Sequence, residues 1–445
     1  RDGAKFSLET DNGSKFEYSG FDFETLYDGS QDYDGKKNDE LLKAFFRPFE
    51  GTTEPTGNFV KIIAINEGKL RDFILKKREY VWLGKMVHHY LEFNNYKLPE
   101  ILAFINLNNR SVVEIDDEGS ILDKLLDIIL DKNNLKGFWL PCEPGNCEYA
   151  EKCYVKRNID TFNDNDLGST VRKRFKEIIL ALYLKKEKHI TMRDIRSLIS
   201  FVFFNKYTCK QLQKDIDSGK NLLERLYYNN VFNGEEEDRI VKIAAKIDVA
   251  DMPLPKIENH LYFLNPKSES VNQIFHKNNL TSKLDLDYLE EYFNGKPQGT
   301  SDENPVRRDN AEMYLNSIKR KVFFEGNDSF LQEQYDVNHF SFLPYKYFER
   351  FVEFLKTGQD DSYELRNDIV LAISKSEKIY NEVIGRENVC ISSNSSKKIQ
   401  TKAFYGFKSA DFEVVKPEVG NQTRHIEFFP DHIVFRHVDK SASLE

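Results

Sequence analysis

Apolar and polar residues alternate over the first 27 positions. Phe6 and Leu8, then Phe16 and Tyr18, flank Asp11-Asn12-Gly13, a pattern that predicts a hairpin because Asn-Gly readily takes the positive φ of a tight turn. A third extended run, from Phe21 to Tyr27, ends at Asp28-Gly29. Residues 39–49 shift to helical spacing and stop at Pro48, which cannot donate to a helix ladder. Residues 59–65 are a short apolar run with the β-branched composition of a fully buried strand, delivering Asn66-Glu67-Gly68 at its carboxyl end. Leu70, Phe73 and Ile74 then recur at i, i+3 and i+4, so Asn66 falls at a strand-to-helix junction, where open α/β sheets place ligands.

Helical patterns continue over 81–90 and 121–130, and through Val171, Phe175, Ile178, Ile179 and Leu182. Thr191-Met192-Arg193-Asp194 is a capping box opening the stripe Ile195, Leu198, Ile199, Val202 and Phe203. Residues 101–105 predict a strand, 221–232 a helix, and the acidic run 235–238 the start of another. Residues 248–255 read as a boundary and 295–310 as a loop. Residues 310–324, 345–355 and 365–383 are expected helices, the first amphipathic. From Glu387 onward the pattern is β, with segments at 389–392, 402–407, 412–415, 426–429 and 433–435 in a small antiparallel unit.

The chain has 445 residues, 40% hydrophobic and 31% charged, which excludes whole-chain disorder and suits a soluble protein of two to four domains. A net charge of -9 builds in no global attraction to nucleic acid. Three basic triplets, Lys76-Lys77-Arg78, Arg172-Lys173-Arg174 and Lys319-Arg320-Lys321, could bind phosphate backbones, although such triplets are commonly solvated helix faces. No apolar run reaches bilayer length and no signal peptide is visible, so a cytoplasmic location is expected. The sequence opens on Arg1 and closes on SASLE, from which an upstream segment is expected.

Three of the five cysteines, Cys142, Cys147 and Cys153, lie within twelve residues, with Pro and Gly between the first two. Thiolates gathered by a turn are good Zn²⁺ ligands, and a structural site takes four N or S donors. Cys209 is the first choice for the fourth, His189 the second. The alternative is three unliganded thiols.

Nucleotide chemistry is suggested elsewhere. Asp28 at a strand end could hold Mg²⁺, or serve its own turn. Arg47, ending a helix, could stabilise phosphate charge from a neighbouring subunit, or favour the helix terminus. No G-x-x-x-x-G-K-[ST] occurs in residues 1–445, so a complete ATP site requires a P-loop from an upstream segment or a partner.

A strand ending in Asn before a helix resembles the sensor-1 element of AAA+ ATPases. Taken with the cysteine cluster, ITMRDIRSLISFVFF and DVADMPLPKIENHLYF, it makes the chain resemble large bacterial anti-phage ATPases, nearest the DptF-type ATPase of phosphorothioation-dependent restriction, from Phe21 to His437. The resemblance implies an α/β AAA+-like core remnant over 1–137, and a zinc-binding segment with a helical lid over 138–250. A helical domain over 251–385 and a β-rich unit over 386–445 would follow. It implies Asn66 as sensor 1 and Arg193 or Arg196 as sensor 2, with ATP, Mg²⁺ and Zn²⁺ bound. The implied partners are a nuclease or other defence-complex protein, DNA, and further copies of the chain. The rival expectation is a non-enzymatic, zinc-stapled scaffold that binds a partner protein or DNA.

Overall fold

A computed structural model describes the chain except residues 1–2, 94–96, 114–118, 132–137, 186–189, 235–238, 276–282, 296–306, 361–362, 378–381, 394–402, 418–425, 427–428 and 439–445. It is mixed, with a helical majority, a small N-terminal sheet and short antiparallel strands near the C-terminus. Two compact units form, one of Arg1–Asn109 with Glu418–Ile426, the other of Arg110–Pro417 with Glu427–Glu445.

The first unit holds β1 (Lys5–Thr10), β2 (Gly13–Tyr18), β3 (Phe21–Leu26) and β4 (Phe59–Ile63) in that spatial order. The expected hairpin is present: β1, β2 and β3 run antiparallel, and β4 joins β3 in parallel. A parallel neighbour requires a crossover, which α1 (Asn38–Phe46) supplies before a 3-10 turn over Arg47–Phe49 at Pro48. After β4 come α2 (Glu67–Lys76) and α3 (Val81–Glu92). Leu42, Phe45 and Phe46 of α1 close a core with Phe73, Ile74, Tyr80, Leu83 and Val87, against which Leu26 and Ile63 of the sheet pack.

The strand register puts Phe6, Phe16, Phe23 and Val60 on the sheet's other face. The Phe16 and Phe23 rings stack at 4.8 Å, while Tyr18, Phe21 and Ile62 remain 46, 43 and 54% exposed. The buried strand expected at 59–65 is therefore an edge strand with one open face. Residues 101–105 form no strand; they alternate in and out, with Leu102 and Phe104 on the core, but have no ladder partner among the described residues.

The second unit is helical. It begins with α4 (Ile121–Leu130), α5 (Tyr154–Asn163), α6 (Gly168–Leu184), α7 (Met192–Phe204) and α8 (Cys209–Asp217). The short α9 (Tyr227–Asn230), α10 (Arg239–Ala244), α11 (Pro255–Phe263) and α12 (Glu269–Asn272) precede α13 (Lys283–Phe293) and α14 (Arg307–Glu325). It continues through α15 (Asp328–Tyr335), α16 (Phe348–Thr357), α17 (Glu364–Ser376) and α18 (Glu382–Glu387). Two separate hairpins follow, β5 (Asn388–Ser393) with β6 (Ala403–Lys408), and β7 (Phe412–Val415) with β8 (Val434–His437). The strand expected over 426–429 is absent from its described residues, and the acidic helix start at 235–238 lies outside them. One apolar core runs from Val112 to Phe429, so segments 138–250 and 251–385 share it.

Two expectations are corrected in this unit. The helix expected over 221–232 is broken into a 3-10 turn (Leu223–Arg225) and the single turn α9, because Asn158 competes for the backbone. Its amide donates to the Arg225 carbonyl and accepts from Tyr227 N at 2.9 Å. The helix expected as amphipathic over 310–324 is α14, whose final six residues through Glu325 are all buried apart from the partly buried Arg320.

Candidate functional site

The carboxyl ends of β3 and β4 form a polar crest. Beyond β3 the ladder continues as Gly29 N donates to Ala64 O at 2.8 Å. A Cβ at Gly29 would lie 2.6 Å from Ile63 Cδ1, so a side chain there requires Ile63 to shift. Ser30 Oγ accepts the backbone N–H of Asn66 at 2.8 Å, and the Ser30 N–H donates to Asp28 Oδ1 at 2.8 Å, so one serine links Asp28 to Asn66. Asn12, from the hairpin turn, donates to Asp28 O and accepts from Asp28 N. Buried Asn38 ties the start of α1 to the crest through Gly29 O at 2.7 Å. Sequence reasoning placed Asp28 and Asn66 at strand ends but missed Ser30, Asn12 and Asn38. Polar residues in turns are ordinarily read as solvated, and only the three-dimensional register gives these a common partner.

Both expected groups already have structural duties. Asn66 caps α2, its Oδ1 accepting Gly68 N at 2.9 Å. Asp28 Oδ1 closes a turn on Ser30. Arg47 is exposed and lies at the opposite end of the sheet: α1 starts beside Gly29 at the crest and ends where Phe49 meets Phe59, the first residue of β4, at 5.8 Å. Within one chain, then, Arg47 shares no site with Asp28 and Asn66.

Arg193 and Arg196 belong to the other unit. They project, exposed, from the first turns of α7, whose capping box forms as expected from Thr191 and Asp194. Neither has an ion-pair partner among the described residues; Asp194 pairs with Arg239 instead. Both line a groove of about 770 Å³ whose apolar wall includes Leu125, Ile129, Phe138 and Trp139. Trp139 is fixed in that wall by stacking on Phe204 at 5.6 Å and by its Nε1 donating to Ile129 O at 2.7 Å.

The four candidate zinc ligands occupy one region beside this groove. Cys142 ends a 3-10 turn (Leu140–Cys142), Cys147 sits in the turn closed on Glu143 O, Cys153 is the N-cap of α5, and Cys209 opens α8. The Arg225 guanidinium stacks on Tyr207 at 3.5 Å, faces Tyr154 at 5.9 Å and pairs with Asp215 of α8 at 2.7 Å. Tyr207 and Tyr154 are close in sequence to Cys209 and Cys153, so this wedge holds the starts of α8 and α5 together. Tyr149 adds a hydrogen bond to Asp217 at 3.2 Å. Burial raises the Cys142 thiol's pKa, with further repulsion from Cys209 and Cys147; burial pushes Cys153 up to about 11. Among the described residues no three His, Cys, Asp or Glu side chains form a ready-made metal-ligand set. His189, the second choice, lies outside the described residues.

The basic triplets are mostly not free surface. Lys319, Arg320 and Lys321 of α14 are engaged inside the unit. Lys319 donates to Ala250 O and Met252 O and pairs with Glu258, Arg320 pairs with Asp248, and Lys321 pairs with Asp285 and Glu325. Arg174 is buried and pairs with Asp328, whereas Arg172 pairs with Asp127. Only the triplet at Lys76 stays at the surface as a helix end, Lys76 pairing with Asp72 and Lys77 lying over Phe73. These assignments remove the α14 triplet as a phosphate-binding face.

Comparison with protein-family models, with curated proteins and with solved structures found no match for this chain. No helix among the described residues is long and apolar enough to cross a membrane.

Proposed function

We propose that this chain is the ATPase component of a bacterial anti-phage or DNA restriction complex, coupling ATP binding and hydrolysis to assembly with a nuclease or DNA. The observation that carries this reading is the crest at the ends of the adjacent parallel strands β3 and β4, where Ser30 links Asp28 to Asn66. Such strand ends are where α/β sheets bind ligands. The free carboxylate oxygen of Asp28 suits Mg²⁺, and the Asn66 amide suits orientation of an attacking water. A P-loop from outside residues 1–445 is required. Among the described residues β4 pairs only with β3, so its outer edge is where a strand carrying that loop can add beside Asn66. Arg193 or Arg196 would serve as the sensor-2 cation, and Arg47, at the far end of the sheet, would act on a neighbouring copy's site.

A second reading, a non-enzymatic scaffold, is favoured by the capping bonds that already occupy Asn66 Oδ1 and Asp28 Oδ1. Two conservative variants separate the readings. Asn66→Ser keeps an N-cap and Asp28→Asn keeps the turn, so both preserve the structural duties while removing the amide and the charge. In the full-length natural protein each is expected to lower ATP hydrolysis by about 100-fold, the order seen when one preorganised transition-state group is removed, with unchanged thermal stability. Absence of nucleotide binding by the unaltered full-length protein would sink the ATPase reading in favour of the scaffold.

A further inference from the structure

We propose that Cys142, Cys147, Cys153 and Cys209 bind one structural zinc ion that staples the start of α8 to the start of α5 and fixes the Trp139 wall of the neighbouring groove. Three of the thiols come from one short loop. Its turns are closed by Cys142 N on Trp139 O at 2.9 Å, Cys147 N on Glu143 O at 3.2 Å and Asn146 Nδ2 on Leu140 O at 2.8 Å. The fourth arrives from a separate helix, held in place by the Arg225 wedge and the Tyr149–Asp217 bond.

The chemistry of the donor set matches zinc. Four soft thiolates around one ion would leave no open position, which would make a structural site and not a catalytic one. Two of the four sit at helix starts, Cys153 on the ten-residue α5 and Cys209 on the nine-residue α8. There the unpaired N–H groups favour a negatively charged sulfur. The α8 start does not depend on Cys209 for its cap, because Thr208 and Gln211 form a capping box. Ligation draws the four sulfurs onto one centre, and each releases its proton to solvent. Since Cys142 ends the turn that begins directly after Trp139, the metal holds the indole against Phe204. The zinc site is independent of nucleotide, so its failure and that of the ATPase reading are distinguishable.

The test uses the whole chain of residues 1–445, purified reduced and without chelator, with metal measured by mass spectrometry. About one zinc per chain is expected. Cys209→Ser and Cys142→Ser are each expected to lose zinc by at least about 100-fold in affinity, because even outer-shell changes cost about 10–100-fold, while Cys390→Ser retains it. Should Cys142→Ser fail to fold, the exposed Cys209→Ser decides alone. In a Trp82→Phe chain, where Trp139 is the remaining indole, removing zinc is expected to shift the emission, and adding zinc to restore it. No zinc in the unaltered chain after incubation with the metal overturns the proposal. So does full zinc in Cys209→Ser, including the case in which His189→Ala then releases it.

Discussion

Gly29 shows how much one residue decides at the crest. It lets β3 continue beside β4 where any side chain would meet Ile63. Gly29→Ala is expected to cost about 1–3 kcal/mol, the usual range for overpacking, measurable by urea denaturation. Asn66 makes a complementary case. Asn66→Ala removes the α2 cap and is expected to cost about 1 kcal/mol, so lost hydrolysis in that variant alone could reflect folding; Asn66→Ser removes the ambiguity. The position of Asn66 was legible because strand, polar residue and helical stripe follow each other directly. Its engagement with Ser30 was not, since the partner lies 36 residues away and nothing local marks it.

At the scale of elements, local signals held and long-range ones did not. The hairpin, turned by Asp11-Asn12 at ordinary negative φ with Gly13 already in β2, and the Thr191 capping box are set by neighbours in sequence, and both formed. The alternation at 101–105 was real, but a strand needs a partner, and none is supplied among the described residues. The Lys319 triplet read as surface because charge ordinarily means exposure. Apart from Glu325 on α14 itself, its counter-charges come from α11, α13 and the turn before α11, which no window on α14 reveals. Inside that packing Lys321 and Arg157 face Asp285 and Glu325 in a neutral quartet, with Tyr227 donating to Glu325 at 2.6 Å. Lys321→Met leaves two buried carboxylates with one cation and is expected to cost about 3–5 kcal/mol. Lys76→Ala, on an exposed pair, is expected to change stability by less than about 0.5 kcal/mol.

A second ionic element joins α6 to the start of α15. His339 donates to Glu177 and Asp328, both at 3.2 Å, and Arg174 pairs with Asp328. Burial opposes the imidazolium, but the two carboxylates outweigh it and raise the His339 pKa. Burial likewise opposes the Asp328 carboxylate, and His339 with Arg174 holds its pKa far below the usual range. A raised folded pKa means that the His339 contribution is complete below its ordinary value of 6.5 and lost as pH rises through the folded value. The Asp328 contribution is present above its ordinary value of 3.8 and lost as pH falls through the folded one. Melting temperatures of the unaltered chain and His339→Gln are therefore expected to differ most in mildly acidic solution and to converge as pH rises above neutrality.

For the whole molecule, composition correctly indicated a chain with a substantial core, but not how it divides. One helical core takes in residues from Val112 to Phe429, because α14 collects partners from far along the sequence. That arrangement has a consequence in time. Arg157 is made 128 residues before Asp285, and Glu325 and Lys321 come later still. At roughly 5–20 residues per second of synthesis, its guanidinium waits on the order of ten seconds for the first carboxylate it will be buried with. During that interval α5 cannot reach its final packing without stranding a charge. The nascent helical unit is thus exposed to misassembly until α14 has left the ribosome, and a chain stopped before Arg307 is expected to be captured by chaperones rather than released folded.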